Sequence, residues 1–134
     1  MRTASGFTLI EIAIVLAVTA LLATFALPAM ERRMTAARRA DATVALERVQ
    51  LAQERHRALH GLYSADASAL GISLRSPEGL YTLELRTETA DSYAAVALPS
   101  EGSAQRDDVE CTEISLQVIQ GFATPGPSRR CWNR

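Results

Sequence analysis

Glu11 is the one charged residue in a mostly apolar run from Phe7 to Ala29. A carboxylate set in hydrocarbon costs several kcal/mol, so it persists where it has a partner or a task. Gly6 stands immediately before the run, and a residue without a side chain lets a protease hold extended backbone closely. A cut after Gly6 would leave Phe7 at a new N terminus, with an amine one helical turn from Glu11. An ammonium and a carboxylate attract far more strongly at low dielectric than in water. Glu11 also lies in the first helical turn, where the helix dipole favours negative charge. The chemistry indicated is ion pairing rather than turnover.

Other reactive residue types are sparse. His56 and His60 stand four apart, a spacing that can bring two imidazoles to one metal. The glutamate of a His-Glu-x-x-His motif is replaced by Arg57, and further ligands are missing. The preferred reading is a pair of histidines placed favourably near a helix C terminus, with no metal or other cofactor expected. Asp107 and Asp108 are adjacent and read as solvated loop charge. No nucleophile-elbow serine or phosphate-cradling glycine loop is present, so no catalytic residue is assigned and an enzyme is not expected.

The elements that must position these residues follow from periodicity. At 1.5 Å per residue, Phe7 to Ala29 makes a helix of about 34 Å, enough to cross a bilayer core. A secretory signal would be shorter, would lack the acid, and would end in a better small-x-small site than Phe25-Ala-Leu-Pro-Ala29. Ala36 to Leu59 contains no Gly or Pro, and Ala42, Ala45, Leu46, Val49, Ala52 and Leu59 recur on one face. One helix of about 80 Å is expected from Phe7 to about Leu59, with a kink or loosened turn at Pro28. Gly61 ends it, and Leu62 to Gly79 reads as a connecting loop. Three strands follow, Leu80 to Thr87, Ser92 to Leu98 and Glu113 to Ile119, the first two joined across Glu88-Thr-Ala-Asp91. The sheet should cover the helix stripe, giving an α+β fold. Gly121 to Arg134, with Pro125, Gly126 and Pro127, reads as irregular.

The 134 residues suit one domain plus an anchor. Once the membrane segment and its helical continuation are set aside, roughly seventy residues remain, a size at which a core alone is marginal. Cys111 and Cys131 supply bracing if they pair, about 3 kcal/mol for a loop of that length. They then indicate an oxidising compartment such as the periplasm. Free or catalytic thiols compete with that reading, without a Cys-x-x-Cys spacing to support them. The formal charge of −1 becomes −2 if Arg2 leaves with a leader, which is not a polyanion-binding composition.

Gly6-Phe-Thr-Leu-Ile-Glu11 resembles the prepilin leader junction of type IV pilins and related secretion pseudopilins. The resemblance implies that a membrane peptidase cuts after Gly6, that Phe7 is N-methylated, and that Glu11 meets the N terminus of a neighbouring subunit. It also implies the pilin ladle fold, a long helix with a small antiparallel sheet on its outer half and a disulfide-closed C-terminal loop. Gln53-Glu-Arg55, Gly61-Leu-Tyr63, Gln105-Arg-Asp-Asp108 before Cys111, and Cys131-Trp132 are similar to the PilE-like minor pilins. The organisation then expected is a leader at residues 1–6, a transmembrane and assembly helix at 7–30, and a periplasmic globular domain at 31–134.

A pilin resemblance implies a structural subunit that waits in the bacterial inner membrane, joins an extracellular pilus, and serves motility, adhesion or DNA uptake. Expected partners are the prepilin peptidase, the major pilin, other minor pilins and the inner-membrane assembly platform. The rivals are a type II secretion pseudopilin and a DNA- or surface-binding tip receptor. Arg129, Arg130 and Arg134 beside Trp132 could contact single-stranded nucleic acid by charge and stacking. Three arginines in a net-negative chain are few, and packing of Trp132 against the disulfide is preferred. Arg32, Arg33, Arg38 and Arg39 suit lipid head groups or acids on neighbouring helices. By the positive-inside rule they would place the folded part in the cytoplasm, against which stand the leader resemblance and the cysteine pair.

Overall fold

The computed structural model describes residues 7–133, which fall into two compact units, one ending at Met34 and one starting at Thr35. Helix α1, Leu9–His60, contributes to both.

In the first unit the helix starts where Thr8 can cap it. Thr8 Oγ1 accepts from the backbone N–H of Glu11 at 3.3 Å, the first half of a capping box. The apolar stretch that follows is long enough to cross a membrane, and none of it is buried within the protein. Pro28 lies inside α1, and the helix continues through it. Proline donates no N–H, so the carbonyl of Thr24 loses its helical donor, and Thr24 Oγ1 bonds back to the Leu21 carbonyl at 2.6 Å.

In the second unit the buried face of α1 comprises Arg39, Asp41, Ala42, Ala45, Leu46, Val49 and Gln53. The expected stripe therefore shifts at its far end. Leu59 is 74% exposed, and Gln53 takes the inward place, its amide exchanging hydrogen bonds of 2.6 and 3.0 Å with the carbonyl and N–H of Ser64. Such two-sided satisfaction is what allows a buried amide. Gly61, at φ 79°, closes the helix with its N–H on the Arg57 carbonyl, the left-handed cap that glycine adopts without strain. The following loop contains one short turn, α2, Ala67–Leu70. Asp41, buried on α1, holds the rest of the loop by accepting from Ser76 Oγ and from the N–H groups of Glu78 and Leu80.

The sheet is an antiparallel meander of β1 (Tyr81–Thr89), β2 (Ser92–Pro99), β3 (Ile114–Ile119) and β4 (Phe122–Gly126). Tyr81 and Leu83 of β1, Tyr93, Ala95 and Ala97 of β2, and Ile114, Leu116 and Val118 of β3 turn inward to join Ala42, Leu46 and Val49 in one core. A register shift between Thr87 and Thr89 carries β1 two residues further than its alternation suggested.

β4 is a correction, because this part of the tail reads as irregular in the sequence. Gln120 and Gly121, at φ 52° and 85°, form a two-residue turn, the positive-φ geometry that joins twisted strands. Pairing of Ile119 with Phe122 sets Pro125 opposite Leu116. That register puts Pro125 at a position whose N–H would face away from β3, where an edge strand tolerates proline.

Candidate functional site

Two regions carry the residues that the sequence singles out. In the first unit, Phe7 is 81% exposed, and it lines an open recess of about 250 Å³ with Glu11, Ile12, Val15 and Leu16. Among the described residues the Glu11 carboxylate has no partner, although its backbone N–H is capped by Thr8. Gly6 and the rest of residues 1–6 lie outside the described residues, as does Arg134.

In the second unit the C-terminal segment is fastened to α1. Cys111 and Cys131 form the disulfide, with Cα atoms 5.7 Å apart. Beside it Arg39 Nε and Nη2 donate to both carboxylate oxygens of Asp108 at 2.7 and 2.8 Å, and Nη2 also donates to Glu110 at 2.8 Å. The Asp108 carboxylate accepts from the N–H of Cys111, and Arg39 Nη1 reaches the Arg130 carbonyl. Asn133 Nδ2 donates to the Ala36 carbonyl at 3.0 Å. Hydrogen bonding to Asp108 holds the Arg39 guanidinium well above its ordinary pKa, against desolvation. The hydrogen bond from Arg39, with help from Arg130, lowers the pKa of Glu110.

This clamp overturns two expectations. Asp108 is not solvated loop charge: it is 3% exposed, and Arg39, 4% exposed, is turned into the domain and cannot greet lipid. One turn of helical spacing back from Ala42 reaches Arg39, so extending the apolar stripe would have found it. An arginine at the end of a basic run gave no reason to extend it.

Trp132 packs in the core cluster with both cysteines, and its Nε1 donates to the Gly126 carbonyl at 2.9 Å. It is therefore unable to stack on a base. Arg129 and Arg130 are exposed, and Arg130 pairs with Glu110 at 3.1 Å. His56 and His60 stack with centroids 4.2 Å apart.

The comparisons with known proteins meet this geometry at both regions. Residues 1–27 match the prokaryotic N-terminal methylation motif, and residues 28–115 match the family described as type IV minor pilin ComP, DNA uptake sequence receptor. The chain belongs to the type IV minor pilins. Two curated relatives are also pilins. The type IV wide pilus major component PilA4 of Thermus thermophilus is 34% identical over 107 residues, covering 77% of this chain and 79% of the relative. The type IV major pilin protein PilE of Neisseria gonorrhoeae is 34% identical over 112 residues, 83% of this chain and 65% of the relative. As a minor pilin the chain is a structural subunit rather than an enzyme, and its apolar N-terminal helix serves first in a membrane and then in a pilus.

Proposed function

We propose that this minor pilin is cut after Gly6 by the prepilin peptidase, methylated on Phe7, and held in the bacterial inner membrane by residues 7–30, with 31–134 in the periplasm. From there the assembly platform transfers it into a pilus beside the major pilin and other minor pilins. The observation that carries the reading is the Glu11 carboxylate, without a partner among the described residues, on a helix stretch of which no apolar side chain is buried within the protein. In the membrane lipid covers those side chains, and in the filament neighbouring helices do, so one surface serves anchoring and assembly. The amine of a neighbouring Phe7 would neutralise Glu11 and set the stagger. The Glu11→Ala variant should still lose its leader yet be depleted from sheared pili. Normal incorporation would remove the role given to Glu11.

A second reading adds a ligand, because the matched family is described as a DNA uptake sequence receptor. Exposed Arg106, Arg129 and Arg130 are this chain's candidates for phosphate contacts, with charge and not Trp132 stacking as the means. Full-length protein in detergent should then bind duplex DNA with an affinity that falls as salt rises. An Arg106→Ala/Arg129→Ala variant should bind more weakly. Unaltered affinity in that variant would leave these arginines without the assignment.

A further inference from the structure

We propose that His56 and His60 form an open, exchangeable site for a divalent transition-metal ion of the copper, nickel or zinc class at the C-terminal end of α1. The two residues lie one turn apart on the same helix face, and their rings stack at 4.2 Å with 25° between planes.

Their protonation pattern follows from their neighbours. His56 Nδ1 lies 3.0 Å from the Leu62 carbonyl, and His60 Nδ1 lies 3.0 Å from the His56 carbonyl. A carbonyl only accepts, so each Nδ1 carries the hydrogen, and in the neutral ring each Nε2 keeps its lone pair. An imidazole whose Nδ1–H is held by a backbone carbonyl is the usual orientation of a metal-bound histidine. Here both rings have it, and both Nδ1 atoms are turned to backbone, which leaves the two Nε2 atoms on the side away from it. Stacked planes keep the two Nε2 lone pairs nearly parallel, so loading opens the stack until both reach one ion at about 2.0–2.1 Å.

The surroundings favour a cation. His60 is the last residue of α1, where unpaired carbonyls concentrate negative potential. Two arginines flank His56 in sequence, Arg55 and Arg57. Arg57 is drawn off, Nη1 donating to Tyr63 Oη at 3.0 Å and Nη2 to Asp91 at 2.9 Å, and Arg55 is exposed to solvent that screens it. Among the described residues no third His, Cys, Asp or Glu joins the pair in a metal-sized cluster. Water therefore completes the coordination, and the site loads and empties instead of holding the fold together. Paired imidazoles select copper, nickel or zinc over magnesium and calcium.

The test uses the full chain in detergent, purified without a histidine tag, and titrated calorimetrically with Cu²⁺, Ni²⁺, Zn²⁺ and Mg²⁺. The wild type should bind the first three and not Mg²⁺, and His56→Gln or His60→Gln should each weaken binding at least about tenfold. Circular dichroism confirms that each variant keeps its helix. Imidazole ¹⁵N spectra should show Nδ1–H tautomers in the metal-free protein and a shift confined to Nε2 on loading. Equal affinity in the combined His56→Gln/His60→Gln variant, no binding by the wild type, or coordination through Nδ1 would each overturn the proposal.

Discussion

Arg39 and Asp108, 69 positions apart in sequence, meet through two parallel hydrogen bonds of 2.7 and 2.8 Å with almost no solvent contact. The pair joins α1 to the segment that carries Cys111, and with the bond from Asn133 Nδ2 to the Ala36 carbonyl it holds the disulfide-closed loop on the helix.

Breaking the pair from one side is expected to be costly. Asp108→Ala leaves a guanidinium buried with one exposed carboxylate, and the loss should be about 3 kcal/mol in urea unfolding with the disulfide intact. Adding Arg39→Met should recover part of it, because the stranded charge is gone. A loss within 0.5 kcal/mol of zero for Asp108→Ala, roughly the size of an ordinary surface substitution, would show that the clamp carries no stability.

Tyr93 offers the opposite sign. Its ring is fully buried and meets Tyr63 edge-on at 4.8 Å, but its hydroxyl has no hydrogen-bond partner among the described residues. Tyr93→Phe should raise the unfolding free energy by about 1 kcal/mol at neutral pH, because an unpaired buried hydroxyl no longer has to be desolvated. Destabilisation on this substitution would mean that the hydroxyl has a partner in solution.

Alkaline stability follows from the same burial. Desolvation raises the pKa values of Tyr81 and Tyr93 in the fold, so the unfolded chain loses phenol protons first. The stability linked to these groups is fully present below the ordinary tyrosine pKa of about 10 and is lost as pH rises through the raised folded values. Unfolding midpoints measured from pH 8 to 11 should decline at the upper end, and less so in Tyr93→Phe. Glu110 acts at the acid end, where its lowered pKa means a contribution present above the ordinary carboxylate range and lost as pH falls through the depressed value.

Reducing the bridge between Cys111 and Cys131, 20 residues apart, should cost about 3 kcal/mol. Urea midpoints with and without reductant measure it, and Cys111→Ser/Cys131→Ser should reproduce the reduced protein. Unchanged midpoints would mean that the Arg39 clamp alone holds the segment.

Much of this architecture is legible in the residues because it rests on local pattern. The spacing of Ala42, Ala45, Leu46 and Val49 gives the buried helix face, alternation of Tyr81, Leu83 and Leu85 gives β1, and Gly61 gives the helix end. Features that depend on distant partners are not legible. Arg39 and Asp108 look solvated until their pairing is known, and Gln53 looks polar until Ser64 receives it. β4 hides behind Pro125 because proline argues against a strand unless it is known to lie at the sheet edge. The N-terminal methylation motif within residues 1–27 reads clearly for another reason: it is a run of adjacent residues that needs no distant partner.

Intact mass spectrometry of the protein recovered from sheared pili tests the central claim most directly. A single species starting at N-methylated Phe7, two hydrogens lighter for the closed disulfide, is the predicted result. A chain that keeps residues 1–6, or one cut behind the apolar run near Ala29, would contradict the account.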